Sequence, residues 1–110
     1  MRLIKYEGLG NKFLVVIQDS VPQDSSQLAV SVCNPENGFD VDGLIFGTPS
    51  SSDGIDIHMT LFNADGSSAE ISGNGIRCLA QEIFSRSEEE SLQILTGSGV
   101  RNVTLNDLRN

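Results

Sequence analysis

Positive charge is scarce in this sequence: seven Lys and Arg stand against fifteen Asp and Glu, giving a net charge of −8. Nucleic acid and anionic membrane surfaces repel such a chain, so neither is expected as a partner. A small anionic ligand stays open, because local donors read it and not the global field. Cysteine is nearly absent as well. Cys33 and Cys78 sit inside apolar segments without metal-ligand spacing and read as small buried hydrophobes, so no metal site is expected. No apolar run approaches the roughly 18 residues of a membrane span. The N-terminus carries two basic residues but no apolar h-region and no small-residue cleavage site, which argues against a secretory signal. Cytoplasmic residence is the default expectation.

What is present is enough for one domain, expected to run over residues 1–110 and to bury roughly 60–70% of its unfolded surface. The apolar fraction is 38%, but the apolar residues are clustered, so disorder is expected only near 48–54 and at the C-terminus. The acidic run Glu88-Glu89-Glu90 reads as a solvated turn.

Residues 2–6 read as a short strand, ended by Gly8-Leu9-Gly10-Asn11 and followed by a second apolar run from Phe13 to Ile17, a hairpin-like opening. Asp24 or Ser25 is a candidate cap for a helix over 25–33, and Pro35 should stop it at Asn34. The continuous apolar run Leu44-Ile45-Phe46 within Gly43 to Gly47 predicts a buried strand, and 48–54 a loop. In residues 55–62, Ile55, Ile57, Met59 and Leu61 alternate with Asp56, His58, Thr60 and Phe62, the pattern of a strand with one apolar face. His58 lies on the other face with no acidic or nucleophilic neighbour in a motif, and reads as a strand histidine, not a base. After a turn at Asp65-Gly66 and a short strand near 68–71, the loop Gly73-Asn74-Gly75 feeds a helix to about Arg86. Apolar residues cover most of its circumference, so it should be buried. Two final strands are expected at 92–95 and 100–105. Six or seven strands and two helices, with no βαβ alternation, predict an α+β fold: a mostly antiparallel, curled sheet wrapped around a central helix.

Three patches carry candidate chemistry: Gly8 to Asn11, Phe62 to Ser67, and Ser72 to Cys78. Glycines ahead of a helix let the backbone approach a ligand closely, and the first-turn amides, lacking helical partners, face outward at the positive end of the helix dipole. That arrangement suits a carboxylate or phosphate. Asn11, Asn63, Asp65 and Asn74 recur beside glycine turns, but Asn and Asp also favour turns for local reasons. On residue types alone, a ligand site and a set of ordinary tight turns both remain open.

Taken together, Gly8-Leu9-Gly10-Asn11 with Phe13, Asp42-Gly43-Leu44-Ile45, Phe62-Asn63-Ala64-Asp65-Gly66-Ser67 and Gly73-Asn74-Gly75-x-Arg77-Cys78 resemble, in order and spacing, the N-terminal half of diaminopimelate epimerases. The resemblance covers about residues 1–85 and is expected to continue to the end. It implies two similar domains, each a sheet around a central helix, with the active site between them. It also implies an isomerase of lysine and peptidoglycan precursor biosynthesis that interconverts LL- and meso-diaminopimelate with neither pyridoxal phosphate nor a metal. One cysteine thiolate removes the α-proton, and a thiol from the other domain returns one to the opposite face.

By the same resemblance, Asn11, Asn63 and Asn74 contact the substrate's amino and carboxylate groups, and Gly73 and Asn74 add backbone donors. Ser72 falls where the first catalytic cysteine belongs. An alcohol is a far weaker acid than a thiol and needs an adjacent base, which the sequence does not reveal. Family members are expected to be about twice this length, which leaves the second domain and its cysteine outside this chain. Lys12 stands where an acidic residue is usual and Asp40 where glycine is usual. Three readings follow: an epimerase fragment that is impaired or inactive alone; a non-catalytic module binding an amino acid through its carboxylate; or another isomerase or dehydratase of the same fold assembled as a homodimer across the Ser72 to Asn74 loops.

Overall fold

The computed structural model describes residues 2–8, 10–36, 38–70 and 72–109. The elements follow as β1 (Ile4–Gly8), β2 (Asn11–Ile17), α1 (Ser25–Val32), β3 (Gly43–Thr48), β4 (Ile57–Asn63), β5 (Ser68–Ala69), α2 (Gly73–Ser85), β6 (Ser91–Thr96) and β7 (Gly99–Thr104). The C-terminal segment expected to be disordered forms a 3-10 helix, Leu105–Arg109. Leu9, in the first expected turn, and Ile71, at the end of the expected strand 68–71, lie outside the described residues.

The opening hairpin forms as expected, with Ile4 opposite Val15 and Gly8 opposite Asn11. The sheet runs in the order β1-β2-β3-β4-β6-β7, with β5 also paired to β4. Four pairings are antiparallel, whereas β2–β3 and β4–β6 are parallel. The curled, mostly antiparallel α+β sheet is therefore present, but the expected absence of βαβ alternation is overturned. Each parallel pair needs a crossover, and each crossover carries a helix: α1 between β2 and β3, and α2 between β4 and β6.

The two helices lie on opposite faces of the sheet. Phe13, Val15, Ile45, Met59 and Leu61 point to the α2 side and pack with Ile76, Cys78, Leu79 and Ala80. Leu14, Val16, Leu44 and Phe46 point to the α1 side with Ala29, Val32 and Cys33. This two-sided cover explains why β3 is buried at every position and reads in sequence as an unbroken apolar run. A Cβ on Gly47 of β3 would lie 2.8 Å from Ile57 Cδ1 and 2.9 Å from Leu79 Cδ1, so glycine is what lets α2 settle onto the sheet.

Two expectations about the helices change. Asp24 occupies the N-cap of α1 without a side-chain cap bond, and Ser25 Oγ, the other candidate, donates back to the Pro22 carbonyl. Helix α2 is not enclosed all round. Gly73, Gln81 and Ser85 are exposed and Arg77 half-buried, a stripe at four-residue intervals that the sheet leaves uncovered. Among the described residues, no helix is long and apolar enough to cross a membrane.

Candidate functional site

The site lies at one rim of the sheet, and strand register puts its parts there. Strands β2 and β3 run parallel, with Phe13 opposite Gly43, and Gly43 lies opposite Asn63 at the end of antiparallel β4. Asn11, two residues before Phe13, therefore shares a rim with Asn63. The N-terminus of α2 joins them: Asn74 Nδ2 donates to Asn11 Oδ1 at 2.5 Å across 63 positions of sequence. Gly8 closes the same corner, with its Cβ position 3.5 Å from the Asn74 carbonyl oxygen.

Ser72 is the N-cap of α2, in extended backbone (φ −144°, ψ 121°), and its Oγ accepts from Gly75 N–H at 3.0 Å. The helical ladder starts with Ile76 N–H on the Ser72 carbonyl at 2.9 Å. The amides of Gly73 and Asn74 belong to the same first turn, where a helix offers its own N–H groups no carbonyl partner. A Cβ at Gly73 would meet nothing within 4 Å, so this end of the helix is open to an incoming group.

Asn63 is exposed and held within its own turn. Its Nδ2 donates to Ser67 Oγ at 3.1 Å, and Ser67 donates both its Oγ–H and its N–H to Asp65 Oδ1, at 2.6 and 2.9 Å. These bonds from Ser67, the side chain first, hold the Asp65 carboxyl below its ordinary range. Asp65 serves the turn, not the rim. Of the sequence-read candidates, the structure brings Asn11, Ser72, Gly73 and Asn74 into one corner, and register places Asn63 along the same edge.

Two other reactive side chains are placed elsewhere. His58 pairs with Thr48 at the far end of β4, five residues from Asn63 and so about 17 Å along the strand. It is half-buried and stands at the end of β4 away from the rim. Cys78 is 1% exposed on the core side of α2, and burial pushes its thiol up to about 11, against a smaller opposing pull from Arg77. It is packing, as expected of a cysteine inside an apolar segment. Among the described residues, no group of three His, Cys, Asp or Glu side chains is arranged to hold a metal.

Three features were not read from the sequence. Glu82 is buried on α2 and bonded to the Tyr6 hydroxyl at 2.6 Å, with Arg86 at 3.6 Å. A cavity of about 470 Å³ runs along the open stripe of α2, lined by Glu7, Arg77, Gln81, Leu105 and Leu108 among others. The polar spacing Arg77, Gln81, Ser85 was the available signal for that opening. Third, Asp40 adopts a left-handed φ of 51°. Glycine enters that conformation freely, and Asp is among the few other residues that tolerate it.

The sequence model described as diaminopimelate epimerase matches residues 3–110. The chain belongs to the diaminopimelate epimerase family. It is 44% identical over 100 residues to the diaminopimelate epimerase of Synechococcus sp. (strain JA-3-3Ab), an alignment covering 86% of this chain and 35% of that protein. It is 39% identical over 111 residues to the enzyme of Synechococcus elongatus, covering 97% and 39%. The family match thus reaches past residue 85 to the end of the chain. This chain spans between about a third and two fifths of those curated relatives, less than the half expected from the resemblance. Among solved structures, a Bacillus anthracis phenazine biosynthesis protein of the PhzF family superposes with a TM-score of 0.73 at 21% identity. It covers 93% of this chain and 34% of that one, a likeness of fold alone.

Proposed function

We propose that this chain is the amino-acid-holding domain of a diaminopimelate epimerase-type protein, and that with serine at position 72 it binds the substrate's α-carboxylate without exchanging the α-proton. The observation that carries this reading is the contact of Asn74 with Asn11. It joins two separately read motifs at an open helix N-terminus, next to the position where the family's first cysteine belongs. Carboxylates are held well there, by unpaired amides backed by the helix dipole. Asn11, Asn63, Gly73 and Asn74 are the proposed substrate contacts, and Ser72 the residue facing the α-carbon.

The chemistry at residue 72 supports the second half of the proposal. Gly75 N–H, which donates to Ser72 Oγ, and the positive helix end behind it would stabilise a thiolate, since helix N-termini lower a cysteine pKa from about 8.5 into a range of roughly 3.5–7.5. The same donor cannot turn an alcohol into a resting oxyanion at neutral pH, which takes an adjacent base. Among the described hydrogen bonds of Ser72 Oγ there is no basic partner, and His58 stands at the opposite end of its strand. Inversion also needs a second proton carrier on the other face of the carbon. In this reading it belongs to another domain of a longer protein or to a second copy of this chain, in the cytoplasm and with no pyridoxal phosphate.

The test is proton NMR of LL-diaminopimelate in heavy water with the protein and with its Ser72→Cys variant. Ligand line broadening with a persistent α-proton signal is expected for the unmodified chain, and loss of that signal only with cysteine present. Exchange by the unmodified chain would overturn the role given to Ser72. Absence of broadening in both proteins would overturn the binding role.

A further inference from the structure

We propose that Asp42 is a positioning residue for the Asn11–Asn74 pair, acting through the backbone of Lys12; the proposal rests on the amino-acid-binding role given to that pair above. Two hydrogen bonds join residues 12 and 42. Asp42 Oδ2 accepts from Lys12 N–H at 2.8 Å, and Asp42 N–H donates to the Lys12 carbonyl at 2.7 Å. They lie immediately before the parallel register of β2 and β3 begins at Phe13 and Gly43. The carboxylate thus takes the first amide of β2 on the β3 side, ahead of the point where the ladder itself begins.

The far side of this clamp is rigid. A Cβ on Gly43 would fall 2.9 Å from the Phe62 carbonyl oxygen and 3.1 Å from Phe13 Cε1, so the backbone that follows Asp42 is wedged between β4 and the core. On the near side, Lys12 is bonded in sequence to Asn11, whose other neighbour in space is Gly8 of β1. Fixing the Lys12 peptide therefore fixes the direction in which Asn11 leaves the strand. Asn11 Oδ1 is the acceptor that orients the Asn74 amide at the helix start. Asp42 is exposed, and its hydrogen bonds to Lys12 are the path by which it reaches the asparagine pair.

A purely structural clamp would change stability and leave the asparagine pair untouched, and that difference is measurable. In Asp42→Ala, the side-chain amide resonances of Asn11 and Asn74 are expected to shift, and the Lys12 amide to lose protection from hydrogen exchange. LL-diaminopimelate should bind roughly fivefold more weakly, the size of one ordinary hydrogen bond, because the lost clamp reaches the ligand only through Asn11. Asp42→Asn keeps an acceptor oxygen and is expected to retain the resonances, the protection and an affinity within about twofold of the parent. Asparagine resonances that stay put in Asp42→Ala would overturn the proposal, as would an Asp42→Asn protein that behaves like Asp42→Ala. Should Asp42→Ala fail to fold, the Asp42→Asn spectrum still decides, since moved Asn11 and Asn74 resonances there would overturn it. If the parent protein binds no diaminopimelate, the binding role of the rim fails by itself, while the resonance and exchange measurements judge Asp42 independently.

Discussion

The two ends of helix α2 are both tied to the opening hairpin, yet in opposite ways. At the C-terminal end, the buried Glu82 carboxylate is closed off by the Tyr6 hydroxyl of β1 and by Arg86, with a long contact to Ser85 Oγ at 3.4 Å. At the N-terminal end, Asn74 meets Asn11 of β2, Ser72 caps a single amide, and the amides of Gly73 and Asn74 are left at an open corner. One end satisfies its polar groups and anchors the helix. The other keeps donors in reserve. A helix held at one end and open at the other is suited to present its dipole to a ligand, because binding then requires no rearrangement of the fold.

Removing the closed end should cost most. Glu82→Ala is expected to lower the unfolding free energy by about 2–3 kcal/mol, through loss of the charged hydrogen bond to the half-buried Tyr6 phenol and of the buried Glu82 side chain's packing. Urea denaturation measures this, and the affinity for diaminopimelate should be unchanged; a loss of binding of similar size would erase the distinction between the two ends. Next comes the cap. Ser72→Ala is expected to cost about 1 kcal/mol, since Gly75 N–H loses its acceptor, corresponding to a fall of about 4 °C in Tm. At the rim, Asp40→Gly should gain roughly 0.5 kcal/mol, because relief of the left-handed φ outweighs by a little the extra freedom of glycine in the unfolded chain. A destabilised Asp40→Gly protein would mean that the Asp40 side chain supports the rim.

The smallest effect concerns pH at the closed end. Tyr6 is raised from its ordinary value of 10, first by burial and then by its bond to Glu82. The folded state therefore holds the phenol proton more tightly than the unfolded state does. As pH rises above 10 the unfolded chain ionises first, so the stability this proton contributes, fully present at neutral pH, is lost as pH climbs through the raised native value. A spectrophotometric titration should place phenolate formation above 10 in the native protein, and nearer the ordinary value in Glu82→Gln, where the carboxylate charge is gone.

Much of this was legible in the sequence. Alternation in residues 55–62, the apolar run at 44–46 and the glycines before Ile76 announced three elements that position the site. The first of them starts two residues later and ends one later than expected. The resemblance named Asn11, Asn63 and Asn74. The parallel crossovers were not legible as such, although the unbroken apolar run of β3 is what a strand covered on both faces looks like. Glu82 was hidden because a carboxylate on a helix reads as solvated unless its partner is known, and Tyr6 lies 76 residues away. The Asp42 clamp escaped for the same reason. Aspartate before glycine signals a turn, whereas its function here is to receive the amide of Lys12, thirty positions earlier.

The most direct test of where this protein meets its ligand is a titration with LL-diaminopimelate followed by amide-resolved NMR. The open helix end and the 470 Å³ cavity along α2 meet at Gly8, but the cavity's far lining, Gln81, Leu105 and Leu108, gives resonances separable from those of the helix end. Saturable shifts are expected at Asn11, Gly73, Asn74 and Gly75, with Gln81, Leu105 and Leu108 unmoved. Shifts concentrated at Gln81, Leu105 and Leu108, or no saturable shift at all, would contradict the assignment of the rim as the binding site.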